Sequence, residues 1–381
     1  MILRRLAGAL AKSKKSLLLL GPRQTGKSTL IRSLSPDLTI NLAHESTYLE
    51  FARNPNELEE RLGAGRYKTV FIDEVQRLPR LLNSVQVILD EPRPSVRFYL
   101  TGSSARKLRR GRANLLPGRI HTYFLNPLVS NELSYRMDTR EALSTGTLPG
   151  IWTEEDREER RKTLESYAAT YLKEEIQAES LTRNVEGFSR FLFAVAAESG
   201  KFLDLSKVAS QAGVPRQSAV RYFEILEDTL IIRRCETFSK SLRRRLIQSP
   251  KYFFFDAGVL NGLLGNFTVS ADRIGVLFEH LIYNQIVGSA EACDRRLKIS
   301  SYRTEHGADV DLIVELDGKV IAIEVKASAN VGRSDLRGLR SFADFYRRRH
   351  TSMVLYLGSV RKVLDGTLVF PWQSFLQEIG L

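Results

Sequence analysis

The run Gly21-Pro22-Arg23-Gln24-Thr25-Gly26-Lys27-Ser28 constrains this chain more than any other stretch. It satisfies the spacing GxxxxGK(S/T). In that pattern a glycine-rich turn closes backbone N–H groups around phosphate, and the lysine reaches the β- and γ-phosphates. Its flanks suit the geometry. Ser16–Leu20 reads as a short buried strand, and Thr29–Leu34 opens a helix whose N-terminus favours an anion. The motif predicts an α/β domain that holds ATP between Gly21 and Thr29. Lys27 is expected on the phosphates and the Ser28 hydroxyl on Mg2+.

A second motif completes the site. Thr69-Val-Phe-Ile-Asp73-Glu74 has strand character and delivers two carboxylates at the strand's C-terminal end, where α/β sheets place their ligands. Asp73 is expected in the nucleotide and Mg2+ shell, and Glu74 as the catalytic group that polarises the attacking water. A third strand, Val96–Leu100, ends in Thr101-Gly-Ser103-Ser104. Ser103 there can orient water near the γ-phosphate, or the hydroxyls can cap a helix that begins at Ala105. Leu116-Pro-Gly118-Arg119 precedes a further strand, Ile120–Leu125. Arg119 suits either an arginine finger, reaching a neighbour's site, or a surface arginine beside a glycine turn.

Length and charge bound the rest. A chain of 381 residues carries two to three domains. Its apolar fraction of 43% and charged fraction of 27% exclude a disordered or fibrous protein. The net charge is +13, and residues 1–150 hold 24 basic and 13 acidic side chains. Seven basic residues and no acid lie between Arg97 and Arg119. Such an excess points to a polyanion, although basic groups beside a nucleotide site also serve ATP or a neighbouring subunit. No apolar run is long enough for a membrane helix, so no membrane partner is expected. Leu17–Leu20 is too short for a signal-peptide core, and Cys235 and Cys293 are too few for a disulfide framework. Both suit a reducing cytoplasm.

Beyond the nucleotide domain, expected over 1–126, the pattern turns helical and suggests a lid over 127–200. Asp204–Ala212, the turn Gly213-Val-Pro215 and Gln217–Leu230 read as a helix-turn-helix. Strands Ile231–Phe238 and Tyr252–Phe255 flank Lys240, Arg243, Arg244 and Arg245, which gives a winged helix with a basic wing over 201–270. Residues 271–381 then carry Glu279 on a helix, Asp311 on strand Val310–Leu316, an Asp317-Gly318 turn, and Glu324-Val-Lys326 on the returning strand. Glu324 and Lys326 share one strand face. Carboxylates so placed bind Mg2+ or Mn2+, with a lysine to orient water; an exposed Glu-x-Lys is also common as a solvated charge pair.

Together these residues resemble AAA+ ATPases that carry a DUF4143 C-terminal region. The likeness rests on the phosphate loop, Asp73-Glu74-Val-Gln76-Arg77, Leu100-Thr-Gly102-Ser-Ser104, Gly118-Arg119 and Asp311…Glu324-Val-Lys326. It implies an α/β P-loop AAA+ core, a helical lid and winged-helix middle, and a C-terminal α/β domain similar to restriction endonucleases of the PD-(D/E)xK kind. In that superfamily Glu279, Asp311 and Glu324 would match metal ligands and Lys326 the catalytic lysine. One departure stands out. RecB-like members add Gln-x-x-x-Tyr on the next helix, and Asp335–Phe342 has no such glutamine. The resemblance also implies a homo-oligomer such as a hexameric ring. Two functions fit: an ATP-driven enzyme that acts on DNA and cuts it with a metal, and a nucleotide-operated DNA- or protein-binding switch whose nuclease-like domain is inactive.

Overall fold

The computed structural model describes residues 2–90, 96–103, 118–171, 184–238 and 249–381. The chain divides into two compact units, one of residues 3–126 with 228–231, the other of 127–227 with 232–381.

The first unit is built on five parallel strands: β1 (Ser16–Leu20), β2 (Leu38–Asn41), β3 (Thr69–Asp73), β4 (Arg97–Gly102) and β5 (Ile120–Phe124). Their order is β2-β3-β4-β1-β5. Every residue of β1 is buried, as the unbroken run Ser-Leu-Leu-Leu-Leu requires of a parallel strand covered on both faces. Leu18, Leu20, Val70, Ile72, Phe98 and Leu100 face one core. Leu17, Leu19, Phe71 and Tyr99 alternate onto the other. Helices α1 (Ala7–Lys12), α2 (Lys27–Arg32), α3 (Glu45–Arg53), α4 (Glu57–Gly63) and α5 (Leu81–Asp90) accompany the sheet. The strand expected before the phosphate loop is present as Ser16–Leu20, the one at Thr69 ends at Asp73, and the third, expected over Val96–Leu100, runs from Arg97 to Gly102.

The second unit opens with helices α6 (Thr139–Thr145), α7 (Pro149–Thr153), α8 (Arg157–Ser166) and α9 (Val185–Ala197). Then come α10 (Leu205–Ala212) and α11 (Arg216–Asp228), joined by a turn with Gly213 at φ +61°. The buried residues of each helix, Val208, Ala209 and Ala212 on α10 and Ala219, Tyr222 and Phe223 on α11, follow helical spacing. Strands β6 (Ile232–Thr237) and β7 (Lys251–Phe254) pair antiparallel. Helix α12 (Ala257–Leu264) and the 19-residue α13 (Ile274–Ala292) follow. The chain ends with β8 (Leu297–Arg303), β9 (Asp309–Leu316), β10 (Lys319–Lys326), α14 (Arg337–Tyr346), β11 (Thr351–Tyr356), β12 (Lys362–Leu364), β13 (Thr367–Pro371) and α15 (Trp372–Glu378).

All eight strands of this unit form one mixed sheet, β12-β13-β11-β10-β9-β8-β6-β7. The two strands read from sequence as flanking a wing therefore extend the C-terminal sheet. Glu236 and Thr237 pair with Ser300 and Ser301, and the Phe238 N–H donates to the Ser301 carbonyl at 2.7 Å. Lys240, Arg243, Arg244 and Arg245 lie outside the described residues, as do Arg106 to Arg112 of the basic run. Helix α13 is buried almost all round, which fits its continuous apolar composition. Among the described residues no helix is long and apolar enough to cross a membrane.

Candidate functional site

The C-terminal ends of β1, β3 and β4 bring the first constellation together. The loop leaving β1 packs so tightly that a Cβ on Gly21 would stand 2.3 Å from the Leu125 carbonyl oxygen. Gln24 at φ +60° and Gly26 at φ +89° turn the chain through left-handed conformations. Pro22 and Thr25 are buried, Arg23 is half-buried, and Gln24 and Thr29 are exposed. The Thr25 hydroxyl donates to the Pro22 carbonyl at 2.9 Å. Arg4 ties the loop down from outside, donating to the carbonyls of Thr25 at 2.5 Å and Asn126 at 2.6 Å. No sequence motif marks that clamp.

Lys27 is buried at the start of α2, and its ammonium donates to the carbonyls of Gly21 and Pro22 at 2.9 Å each. Ser28 donates to Asp73 Oδ1 at 2.8 Å. The Thr101 hydroxyl donates to the same Asp73 oxygen and accepts from the Glu74 N–H at 3.3 Å. Glu74 follows the strand in a left-handed conformation, φ +60°. Its carboxylate accepts from the Gln76 side chain, which also donates to Ser103 Oγ at 3.1 Å. Ser103 is thus placed beside Glu74 through Gln76, while Ser104 lies outside the described residues. Ser28 and Asp73 supply a hydroxyl and a carboxylate on adjacent elements. That donor set fits Mg2+ when a nucleotide adds its phosphate oxygens. Arg119, considered as a finger, forms a two-pronged pair with Asp90.

Each of the C-terminal acids stands near a lysine. Glu279 on α13 and Asp311 on β9 face each other across Lys251 of β7, a residue that no motif singles out. Its ammonium lies 2.6 Å from Glu279 Oε1 and 3.8 Å from Asp311 Oδ1, with only 6% of the side chain exposed. Asp311 Oδ2 accepts from the Val325 N–H at 2.8 Å. Glu324 Oε1 is 2.9 Å from the Lys326 ammonium, which also stands 3.6 Å from Asp335. Burial opposes the charge on Lys251, but Glu279 and Asp311 outweigh it and raise the ammonium above its ordinary range. Burial, and then Asp311, push Glu324 up to about 8. Of the residues expected to hold Mg2+ or Mn2+, Glu279 and Asp311 thus stand beside Lys251, and Glu324 stands beside Lys326. Among the described residues no group of three or more His, Cys, Asp or Glu is arranged to hold a metal.

Residues 13–134 match the model of an AAA domain, 136–270 a domain of unknown function (DUF8612), and 274–375 a domain of unknown function (DUF4143). The chain is 28% identical over 363 residues to uncharacterized proteins of Mycobacterium bovis and Mycobacterium tuberculosis, covering 93% of this chain and 79% of each relative. Among solved structures, it is similar to a signal transduction ATPase with numerous domains (STAND) and a tetratricopeptide repeat sensor from Pyrococcus horikoshii. That match has a TM-score of 0.27 at 12% identity and covers 76% of this chain and 46% of the other. A replication initiator DnaA bound to AMPPCP and single-stranded DNA matches at a TM-score of 0.25 and 11% identity, over 58% of this chain and 86% of the other. Scores this low bear on neither activity nor partners.

Proposed function

This chain carries an AAA domain at residues 13–134 and a DUF4143 region at residues 274–375, and we propose that it hydrolyses ATP and uses the cycle to act on nucleic acid, DNA first. The carrying observation is the meeting of Ser28, Asp73, Thr101 and Glu74 at adjoining strand ends, beside a phosphate loop closed around Lys27.

In this reading Lys27 exchanges its two carbonyl partners for the β- and γ-phosphates. Ser28 and Asp73 hold Mg2+, which when bound neutralises charge on the phosphate oxygens. Glu74 takes up the proton of the attacking water, and Gln76 and Ser103 fix where its carboxylate points. Arg119, released from Asp90, reaches the phosphates of a neighbouring subunit in a homo-oligomeric ring. The basic excess of residues 1–150 supports a polyanionic partner. Between a C-terminal region that cuts and one that only grips, the ion pairs of Lys251 and Lys326 favour gripping, and hence a nucleotide-operated switch.

The deciding experiment is the steady-state ATPase rate in Mg2+, alone and with single- or double-stranded DNA, with Glu74→Gln as the blank. A rate that rises several-fold with one form of DNA is expected. A DNA-indifferent rate would retain the ATPase and reject the nucleic-acid partner; no rate above the blank would reject both.

A further inference from the structure

The C-terminal acids already surround a cation. Lys251 leaves β7 opposite Cys235, where strand pairing fixes its backbone, and a bridge to Phe202 holds the other side. The Phe202 ring lies 5.0 Å from the ammonium, and only 6% of the Lys251 side chain is exposed. Mg2+ and Mn2+ take oxygen ligands at about 2.0–2.2 Å. An ion that close to Glu279 Oε1 and facing Asp311 would overlap the space of Lys251 Nζ, 2.6 Å from the same oxygen. Glu324, the third acid, has one oxygen committed to Lys326.

We propose that Lys251 is the resident cation of this cluster, an ammonium filling the space that a divalent metal between Glu279 and Asp311 would need. It ties α13, β7 and β9 together through Glu279 and Asp311, and the cluster takes no divalent ion and breaks no phosphodiester bond. The inference deepens the gripping reading and rests on it for its consequence; the placement of the cation stands on geometry in the second unit alone.

The test is Mn2+ binding to the full chain without nucleotide, followed by electron paramagnetic resonance of free Mn2+. Wild type and Asp311→Asn should give the same isotherm. Lys251→Met, which keeps the length of the stem and removes the charge, should gain one site per chain, at least about tenfold tighter than any wild-type binding. Adding Asp311→Asn to that variant should abolish the gain. A wild-type site lost in Asp311→Asn overturns the proposal, and so does a folded Lys251→Met that gains nothing. If circular dichroism shows Lys251→Met unfolded, the comparison of wild type with Asp311→Asn decides by itself. Loss of the ATPase reading would leave these isotherms unchanged, so the two failures are distinguishable.

Discussion

The side-chain amide of Gln76 donates to the carboxylate of Glu74, two residues earlier on the same turn. The same amide donates to Ser103 beyond β4, so the orientation of Glu74 is set by two strands rather than one. Replacing Gln76 with alanine leaves the phosphate loop and Asp73 in place. It frees the Glu74 carboxylate to rotate. Gln76→Ala should lower kcat about tenfold with KM for ATP nearly unchanged, because orientation at the reacting water is lost while ground-state binding is kept. Glu74→Gln should lower kcat at least a hundredfold. Steady-state kinetics on the two variants check both.

Gly21→Ala tests how closely the phosphate loop packs. The added Cβ would meet the Leu125 carbonyl oxygen at 2.3 Å, an atom fixed by its place just after β5. The loop must move, so nucleotide affinity should fall at least about tenfold. Fluorescent-nucleotide titration reads this directly, with a denaturation curve to separate local from global damage.

Asp256 predicts a pH dependence of stability. Its carboxylate caps α12, accepting from the N–H groups of Gly258 at 2.8 Å and Val259 at 3.1 Å, and also takes the Thr147 N–H at 2.7 Å. Burial pushes it up to about 6, against the pull of those three donors, from an ordinary value of 3.8. Between these values the folded chain keeps a proton that the unfolded chain has released. The contribution of this group is therefore fullest below pH 4 and is lost as pH rises through 6, by up to about 3 kcal/mol. Asp256→Asn removes the titration. The stability gap between wild type and this variant should narrow as pH rises from 4 to 7, which urea unfolding at each pH measures.

Gly338 lies where α14 crosses β9. A Cβ there would fall 1.7 Å from the Asp309 carbonyl oxygen, a backbone atom of the strand rather than the end of a flexible side chain. Gly338→Ala should cost at least about 2 kcal/mol by forcing helix and strand apart. A lowered urea midpoint for the second unit would show it.

The parts of this protein that were legible in the sequence are those whose residues are contiguous. Gly21–Ser28 and Thr69–Glu74 each carry their chemistry and their secondary structure in one short run, so spacing alone gives strand, loop and ligand. The apolar run of β1 and the Asp317-Gly318 turn between β9 and β10 are local in the same sense. Lys251 was not legible. It stands 28 positions before Glu279 and 60 before Asp311, and only the pairing of β7 with β6, and of β6 with β8, carries it to them. Arg4 and the contact of Asp256 with Thr147 escaped notice for the same reason, since Asn126 and Thr147 are backbone partners far along the chain. Arg119 was read as an arginine finger or a surface arginine, and nothing local to it pointed to Asp90 as its partner.

The pairing of β6 with β8 means that the junction between the two regions of unknown function, at residues 270–274, divides the sequence without dividing the sheet. A fragment beginning at residue 271 would keep six of the eight strands and leave β8 with open backbone donors and acceptors, a sticky border that recruits other chains. Residues 127–381 are the smallest piece that keeps this sheet whole together with the helices packed in the same unit, and calorimetry on that piece should record one melting event.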